Sequence, residues 1–312
     1  MLTKQLGKTN LWVSRIGLGT AEIGLAYGLG SKKLPTDQEA EHLLKSAVEM
    51  GVTYFDTAPS YGLAEERIGQ SGIAKLPGIV VGTKCGQFGG RVPAREMEKK
   101  MRQEVETSLQ KLKLEVLPLL QFHQSYSDTA KLIENGFLPD IMQKFKKEGL
   151  VQHVGISIRD KLSALAAIRS GIFETVQVPY NLLDKRMRPH VFEEARKREV
   201  GIISRSVFLK GALTTDIKYL PNDPGLNLLF QRVGQAMEIA QRLEIDLPAL
   251  ALRFVFFQKI IATSLIGTHI LWHLTKAKET LKQPPLSPKV LSALYKLAID
   301  DPEQTDPYNW PS

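Results

Sequence analysis

Short apolar segments alternate with amphipathic helical segments along most of the chain. The apolar segments lie at residues 16–20, 54–58, 79–85, 117–123, 153–158, 175–180, 201–206 and 262–268. They are rich in Val and Ile, and each is followed by a stretch with helical spacing of its apolar residues, such as 37–50. Alternation of this kind is typical of a parallel sheet that is buried on both faces. Eight units without a break in composition predict an α/β fold, a (β/α)8 TIM barrel.

A doubly wound open sheet is the main alternative for this pattern. That fold places a glycine-rich phosphate turn between an early strand and the helix directly behind it. The segment GLGTAEIG at 17–24 has loosely spaced glycines, but no helical pattern follows it directly. We therefore favour the barrel, formed by a single domain over residues 1–312. We expect an N-terminal β-hairpin at 3–15 to cap it, and an additional helix at 287–299 and a loop-like tail to occupy most of 285–312.

Net charge and cysteine content indicate which kinds of ligand and which cellular compartment to expect. The chain has 41 Lys and Arg against 33 Asp and Glu, a formal charge of +8. The basic residues are spread along helical stretches such as 95–102, which indicates solvated faces and an anionic small ligand, with no nucleic-acid partner. Cys85 is the only cysteine, and both a reactive thiol and an inert small side chain are open for it. Lacking a signal-peptide pattern and any apolar stretch of bilayer length, the chain is expected to be cytoplasmic, with no membrane partner.

Polar side chains end three successive strands of the predicted barrel. Asp56 and the nearby Tyr61 follow the second strand, Lys84 ends the third in VVGTK, and His123 ends the fourth in LLQFH. Each has a purely structural interpretation, for example a helix cap for Asp56 or a core histidine for His123. Because the carboxyl ends of parallel strands meet at one face of a barrel, the four side chains should converge there. Burial of several ionisable groups is costly, so their joint presence favours a catalytic site.

Such a cluster is suited to proton transfer at an oxygen atom. A phenol has an ordinary pKa of about 10, too high for easy proton exchange at neutral pH. A nearby ammonium stabilises the phenolate, and a carboxylate keeps the ammonium charged and in place. Lys84 paired with Asp56 would therefore make Tyr61 a usable general acid and base, while His123 could orient a carbonyl or share the proton. We predict no metal at this site.

The sequence at this point resembles the aldo-keto reductase family, from about residue 4 to about residue 285. The matching stretches are GLGT at 17–20, FDTAPSYG at 55–62 followed by EERIG, GTK at 82–84, LLQFH at 119–123, VGIS at 154–157, VQVPYN at 176–181 and the glycine of LIGT at 265–268. The resemblance implies that Tyr61 is the proton donor, that Lys84 and Asp56 tune it, and that His123 places the carbonyl. It also implies a nicotinamide cofactor across the carboxyl-terminal mouth of the barrel, bound without a Rossmann fingerprint.

The resemblance also assigns residues to the cofactor, one position at a time. Ser157 and Gln177 match the positions that hold the nicotinamide carboxamide, and Thr20 and Asp56 lie by its ribose. The remaining matches are at the nicotinamide face, along the pyrophosphate and in the turn that holds the adenosine phosphate: Arg205, Ser206, Phe208, Lys210, Gly211, Gly267, His269 and His273.

Several positions depart from the family pattern and bear on which cofactor is used. Ile158 replaces the usual asparagine after the carboxamide serine, and Arg205 stands where an aromatic ring often stacks on the nicotinamide. His269 replaces a common arginine near the 2′-phosphate, and Ala277 replaces an asparagine that reads adenine. Because the lysines at 276 and 278 and the nearby histidines could still meet a 2′-phosphate, we expect NADP (NADPH), with NAD possible.

The predicted reaction is hydride transfer between the nicotinamide and a small-molecule carbonyl or alcohol, such as an aldehyde, ketone or sugar. Tyr27, Phe88, Gln124 and the C-terminal tail are expected to shape the substrate pocket. Two alternatives remain open. One is a regulatory subunit of the same fold that binds the cofactor but turns over little, and the other is a phosphate-binding barrel lyase or isomerase that uses the same lysine. The sequence leaves the oligomeric state and the substrate unassigned.

Overall fold

A computed structural model describes residues 1–30, 33–88, 92–124 and 128–311. An antiparallel hairpin of β1 (Thr3–Gln5) and β2 (Trp12–Ser14) precedes a closed parallel barrel in the order β10-β3-β4-β5-β6-β7-β8-β9. The barrel strands are β3 (Ile16–Gly19), β4 (Tyr54–Asp56), β5 (Val80–Cys85), β6 (Leu117–His123), β7 (Val151–Ser157), β8 (Thr175–Pro179), β9 (Gly201–Arg205) and β10 (Ile261–Gly267). The predicted (β/α)8 barrel and its hairpin are thus confirmed.

Helices connect the strands and cover the outside of the barrel. They are α1 (Asp37–Glu49), α2 (Ala64–Ser71), α3 (Ala94–Leu112), α4 (Thr129–Glu134), α5 (Phe137–Lys147), α6 (Lys161–Ser170), α7 (His190–Lys197), α8 (Asn227–Arg242), α9 (Leu247–Phe256), α10 (Leu271–Thr280), α11 (Pro288–Tyr295) and α12 (Pro302–Thr305). In the part of the chain that the structure describes, no helix is both long and apolar enough to cross a membrane.

Two elements differ from the sequence-based expectation. The additional C-terminal helix, expected over 287–299, is the shorter α11, which starts at the Ser287 cap and ends before Lys296. The tail, expected to be a loop, contains α12, where the Asp301 side chain accepts a hydrogen bond from the Glu303 backbone N–H. One capped turn is too short to show helical periodicity, so the pattern had no means of finding it.

Side chains alternate between the inside of the barrel and the layer beneath the helices. Along β5, Val80 lies in the interior cluster and Val81 in the outer core, and Tyr54 and Phe55 divide in the same way along β4. The interior cluster includes Leu6, Leu11 and Val13 of the hairpin, so the hairpin closes the amino-terminal end of the barrel. The opposite, carboxyl-terminal end is therefore the end that remains available for a ligand.

The glycine of GTK is required by the packing inside the barrel. The Tyr54 ring lies across the interior, and a Cβ built on Gly82 would come within 2.4 Å of its hydroxyl oxygen. Any larger residue at 82 would displace that ring. Two residues further along the strand, Lys84 points to the same inner face near the mouth.

The C-terminal segment packs against the loop between β8 and α7 through Lys185. Its side chain is 7 % exposed, and its ammonium donates to the Leu294 carbonyl at 2.8 Å and lies 5.3 Å from the Phe254 ring centroid. Burial, with a smaller contribution from Arg232, lowers the pKa of Lys185 to about 7, although Asp184 and Asp300 oppose the shift.

We expect Lys185→Met to stabilise the protein near pH 6 and to flatten the rise in stability toward pH 10. Between the folded pKa of about 7 and the ordinary value of 10.5, the unfolded chain binds a proton that the folded chain lacks. Wild-type stability should therefore rise with pH in this window, by up to about 1.4 kcal/mol per pH unit. Urea unfolding at several pH values measures this slope. Lys45→Met, at an exposed site, serves as the control, and equal slopes in Lys185→Met and wild type would contradict the expectation.

Candidate active site

A buried ion pair forms the floor of the carboxyl-terminal mouth. The Lys84 ammonium of β5 lies 2.6 Å from Oδ2 of Asp56 in β4 and donates to the Thr57 carbonyl at 2.9 Å. The two side chains are 1 % and 4 % exposed. Burial alone would lower the pKa of Lys84, but the Asp56 carboxylate and the Tyr61 phenol raise it above its ordinary value. Lys84 is thus held as an ammonium.

Tyr61 and His123 lie beside this pair. The Lys84 Nζ atom is 4.8 Å from the centroid of the Tyr61 ring. The His123 ring meets the Tyr61 ring edge to face, with centroids 6.3 Å apart and an interplanar angle of 86°. Burial, followed by the nearby Lys84, Arg205 and Arg159, holds the pKa of His123 well below its usual value. The imidazole is therefore neutral at physiological pH, which suits it to donate one hydrogen bond and accept another.

Amide side chains fix the second carboxylate oxygen of Asp56. Oδ1 accepts from Nε2 of Gln177 at 2.6 Å and from Nε2 of Gln121 at 3.3 Å, and the Ser157 hydroxyl donates to Oε1 of Gln177 at 3.1 Å. Sequence reasoning missed Gln121, although its place two residues before His123 in an apolar strand puts it on the same inner face. The network joins the predicted carboxamide-binding residues to the predicted catalytic pair.

Thr20 joins the first barrel strand to the same centre. Its backbone N–H and its hydroxyl both donate to the carbonyl of Asp56, at 3.0 and 2.9 Å. The side chain is fully buried. Thr20 therefore positions the Asp56 backbone where the first and second barrel strands end.

The loop after β9 has a conformation that is costly for its sequence. Ser206, Leu209 and Lys210 adopt positive φ angles of 58°, 48° and 57°, followed by Gly211 at 110°. Left-handed non-glycine residues cost free energy and cluster at ligand-binding sites. Phe208 packs against the core beneath this loop. The guanidinium of Arg205 is fixed at the strand end, donating to the Ile158 carbonyl at 3.2 Å and to the Ser206 hydroxyl at 3.1 Å.

The turn after β10 brings Gly267, His269 and His273 together with an acidic residue that sequence reasoning missed. Nδ1 of His269 lies 3.3 Å from Oε2 of Glu22, which follows β3 in a short 3-10 helix at 21–23. Nδ1 of His273 lies 2.8 Å from the Thr268 hydroxyl. Glu22 comes two residues after GLGT, at a strand end, and that position was the available signal.

The residues expected to shape the substrate pocket differ in exposure and in their contacts. Tyr27 is 46 % exposed at the mouth. Phe88 is half-buried, and the ammonium of Lys100 lies 5.9 Å from its ring centroid. Gln124 is buried, and its amide bonds to Asp160 at 2.6 Å and to the Arg159 backbone at 2.6 Å, so it supports the loop after β7.

The tail reaches the same rim of the barrel. The Arg159 guanidinium lies 4.3 Å from the Tyr308 ring centroid and 3.8 Å from the Asp306 carboxylate. Trp310 anchors the end of the tail, since its ring is buried and donates to the Gln304 carbonyl at 3.1 Å. Residue 312, the last of the predicted tail, lies outside the described residues.

Cys85 is 1 % exposed on the outer face of β5, and burial raises the pKa of its thiol well above the usual value. The inert interpretation of this cysteine is therefore the one that the structure supports.

Among the described residues, no group of three or more His, Cys, Asp or Glu side chains could hold a metal ion.

Comparison with known proteins relates the sequence of this chain to one family. The profile of the Aldo/keto reductase family matches residues 15–299. An NADH-specific methylglyoxal reductase of Escherichia coli (strain K12) is 26 % identical over 298 residues, covering 84 % of this chain and 88 % of the relative. A D-threo-aldose 1-dehydrogenase of a Pseudomonas species is 25 % identical over 293 residues, covering 82 % and 86 %.

The fold has a close counterpart among solved structures. An aldo-keto reductase of Bacillus halodurans in its holo form superposes with a TM-score of 0.77, covering 96 % of this chain and 97 % of that one at 22 % identity. At this identity the superposition shows the fold alone.

Proposed function

This chain belongs to the aldo/keto reductase family of NAD(P)H-dependent carbonyl oxidoreductases, and on that premise we propose that Tyr61 is its general acid and base. In the direction of reduction, a carbonyl compound becomes an alcohol as hydride adds to carbon and Tyr61 gives its proton to oxygen. Asp56, Lys84 and His123 act with Tyr61 as the catalytic group.

One observation carries this proposal, namely the buried Lys84–Asp56 pair directly beneath the Tyr61 ring. A buried ion pair is weak evidence for stability, because desolvation cancels much of the attraction. A permanent ammonium next to a phenol instead favours the phenolate that forms when the proton leaves. The neutral His123 imidazole, which meets the Tyr61 ring edge to face, is suited to donate a hydrogen bond to the carbonyl oxygen and orient it.

The residues at the mouth fit a nicotinamide dinucleotide. Ser157 and Gln177 offer a hydroxyl and an amide at adjacent strand ends, suited to a carboxamide, and Arg205 offers a planar group at the next strand end. The left-handed run from Leu209 to Gly211 gives a loop suited to phosphate oxygens. When bound, the reduced nicotinamide supplies the hydride.

The rim of the mouth offers aromatic surface to a substrate. Tyr27, Phe88 and the tail segment that contacts Arg159 contribute to it, and the Lys100 ammonium and the Arg159 guanidinium lie beside two of its rings. Together with the two relatives named for methylglyoxal and for an aldose, this supports a small aldehyde or a sugar as substrate.

The test is to mix the protein with NADH or NADPH and a panel of aldehydes that includes methylglyoxal and several aldoses. We expect the absorbance of the reduced nicotinamide to fall with at least one member of the panel. Tight cofactor binding without oxidation would favour the regulatory-subunit alternative. Failure to bind either nucleotide would favour a lyase or isomerase.

A further inference from the structure

We propose that Glu22 makes the cofactor site prefer NADH over NADPH by placing a carboxylate where the adenosine ribose carries its 2′ substituent. The inference rests on the proposed function and adds a specificity-determining residue to it. It also reverses the preference that the basic residues at 269–278 suggested in the sequence.

The position follows from the barrel itself. In (β/α)8 barrels, a phosphate site commonly forms from the loops after the seventh and eighth strands and the amino terminus of a following helix. Here those elements are the loop after β9, the turn at 268–270 and the start of α10. His269 and His273 belong to this turn and helix, and the adenosine end of the cofactor was assigned to them.

Glu22 enters this site from the first barrel strand. Its carboxylate contacts His269 at 3.3 Å, and the two side chains are 22 % and 23 % exposed. A Cβ built on Gly267 would lie 3.3 Å from Oε1 of Glu22. The carboxylate therefore lies against the end of β10, within the predicted adenosine site.

Further negative charges face the same histidines. Burial, and then His269, lower the pKa of His273. Asp216, from the loop after β9, acts in the opposite direction. Burial raises the pKa of Glu22, and the charge of Asp216 raises it further. Contact with His269 acts in the opposite direction. Glu39, at the start of α1, is near enough for His269 to contribute to the lowering of its pKa, although its own contacts with Thr36 contribute more.

Two of the cations that the sequence offered do not offset these carboxylates. Lys276 is half-exposed and pairs with Glu279 at 2.9 Å, with its ammonium 5.7 Å from the Trp272 ring centroid. The lowered pKa of His273 keeps that ring neutral near pH 7, and the His269 ring contacts Glu22. Lys276 and His273 thus add no surplus positive charge to meet a phosphate dianion.

A carboxylate discriminates between the two cofactors by charge and by hydrogen bonding. It accepts hydrogen bonds from the hydroxyls of an unphosphorylated ribose, which is the use that other dinucleotide sites make of an acidic residue. It repels a 2′-phosphate because the two groups carry like charge, and salt screens this repulsion because the site is partly exposed.

The dissociation constants of NADH and NADPH, measured by fluorescence and by calorimetry, test this inference without turnover. In wild type we expect NADH to bind at least about tenfold more tightly than NADPH. Glu22→Gln keeps the size and the hydrogen-bonding capacity of the side chain, and it should reduce this ratio about tenfold, chiefly by tightening NADPH. Glu238→Gln removes an equal charge from the exposed face of α8, where Glu238 pairs with Arg242, and should leave the ratio unchanged.

The outcomes separate the inference from the function on which it rests. Tighter binding of NADPH by wild type, or a ratio that Glu22→Gln leaves unchanged, would overturn the role of Glu22 while leaving the oxidoreductase in place. Failure of both nucleotides to bind wild-type protein would overturn both. Raising the salt concentration provides a further check, because it should weaken the discrimination in wild type more than in Glu22→Gln.

Discussion

Tyr61→Phe is expected to slow hydride transfer by roughly 10²- to 10⁴-fold while leaving the fold and cofactor binding intact. The substitution removes only the hydroxyl, which is the proposed source of the proton for the carbonyl oxygen. The ring that meets His123 and lies over the Lys84 ammonium is retained. The loss should therefore appear in the chemical step and not in the affinity for either ligand.

A single-turnover experiment isolates that step. Protein loaded with reduced cofactor is mixed rapidly with an aldehyde that wild type reduces, at constant pH, and nicotinamide oxidation is followed. Tyr219→Phe, which removes a hydroxyl from a 54 % exposed side chain, is the matched control and should react at the wild-type rate. Retention of the wild-type rate by Tyr61→Phe would refute the assignment.

Much of this fold could be predicted because its determinants are local. The repetition of apolar strand and amphipathic helix predicted the barrel, and because Asp56, Lys84 and His123 end successive strands, they were expected to meet at one mouth. Each of these signals is contained in a short stretch of sequence. The hairpin that closes the amino-terminal end of the barrel could also be predicted from a short stretch of sequence. Its turn residues at 7–10 lie between two strand-like segments.

The contacts between distant elements could not be predicted in the same way. The pairing of Glu22 with His269 joins residues 247 positions apart, and that of Gln177 with Asp56 joins residues 121 apart. Their distances depend on the register around the closed barrel, which no single segment encodes. The pattern therefore proposed basic residues for the adenosine end without the carboxylate that faces them, and the bond from Gln121 to Asp56, between residues 65 positions apart, was missed for the same reason.

Removal of only one partner of the Lys84–Asp56 pair should lower the free energy of unfolding, because it leaves a buried charge without its counter-charge. Asp56→Asn removes the negative charge that compensates the buried Lys84 ammonium and replaces one acceptor oxygen by an NH2 group, and we expect a loss of about 3–5 kcal/mol in the free energy of unfolding at pH 7. Lys84→Met should cost less, because Gln177 and Gln121 still donate to the remaining carboxylate. The double variant should be more stable than the sum of the two losses predicts, with a coupling of roughly 1–3 kcal/mol.

The slope of the unfolding free energy with pH distinguishes the loss of the ion pair from a loss of packing. In wild type, the raised pKa of Lys84 means that the stabilisation is fully present below the ordinary value of 10.5 and is lost only as pH rises through the folded value. In Asp56→Asn, burial without the carboxylate should depress that pKa, so the unfolded chain binds the extra proton and stability should rise between pH 7 and about 10. Urea unfolding across this range, with Lys84→Met/Asp56→Asn as the control that has no ammonium to titrate, measures both slopes. Parallel slopes in wild type and Asp56→Asn would mean that Asp56 does not hold the charge of Lys84, and the buried ammonium proposed to assist Tyr61 would need another source of stabilisation.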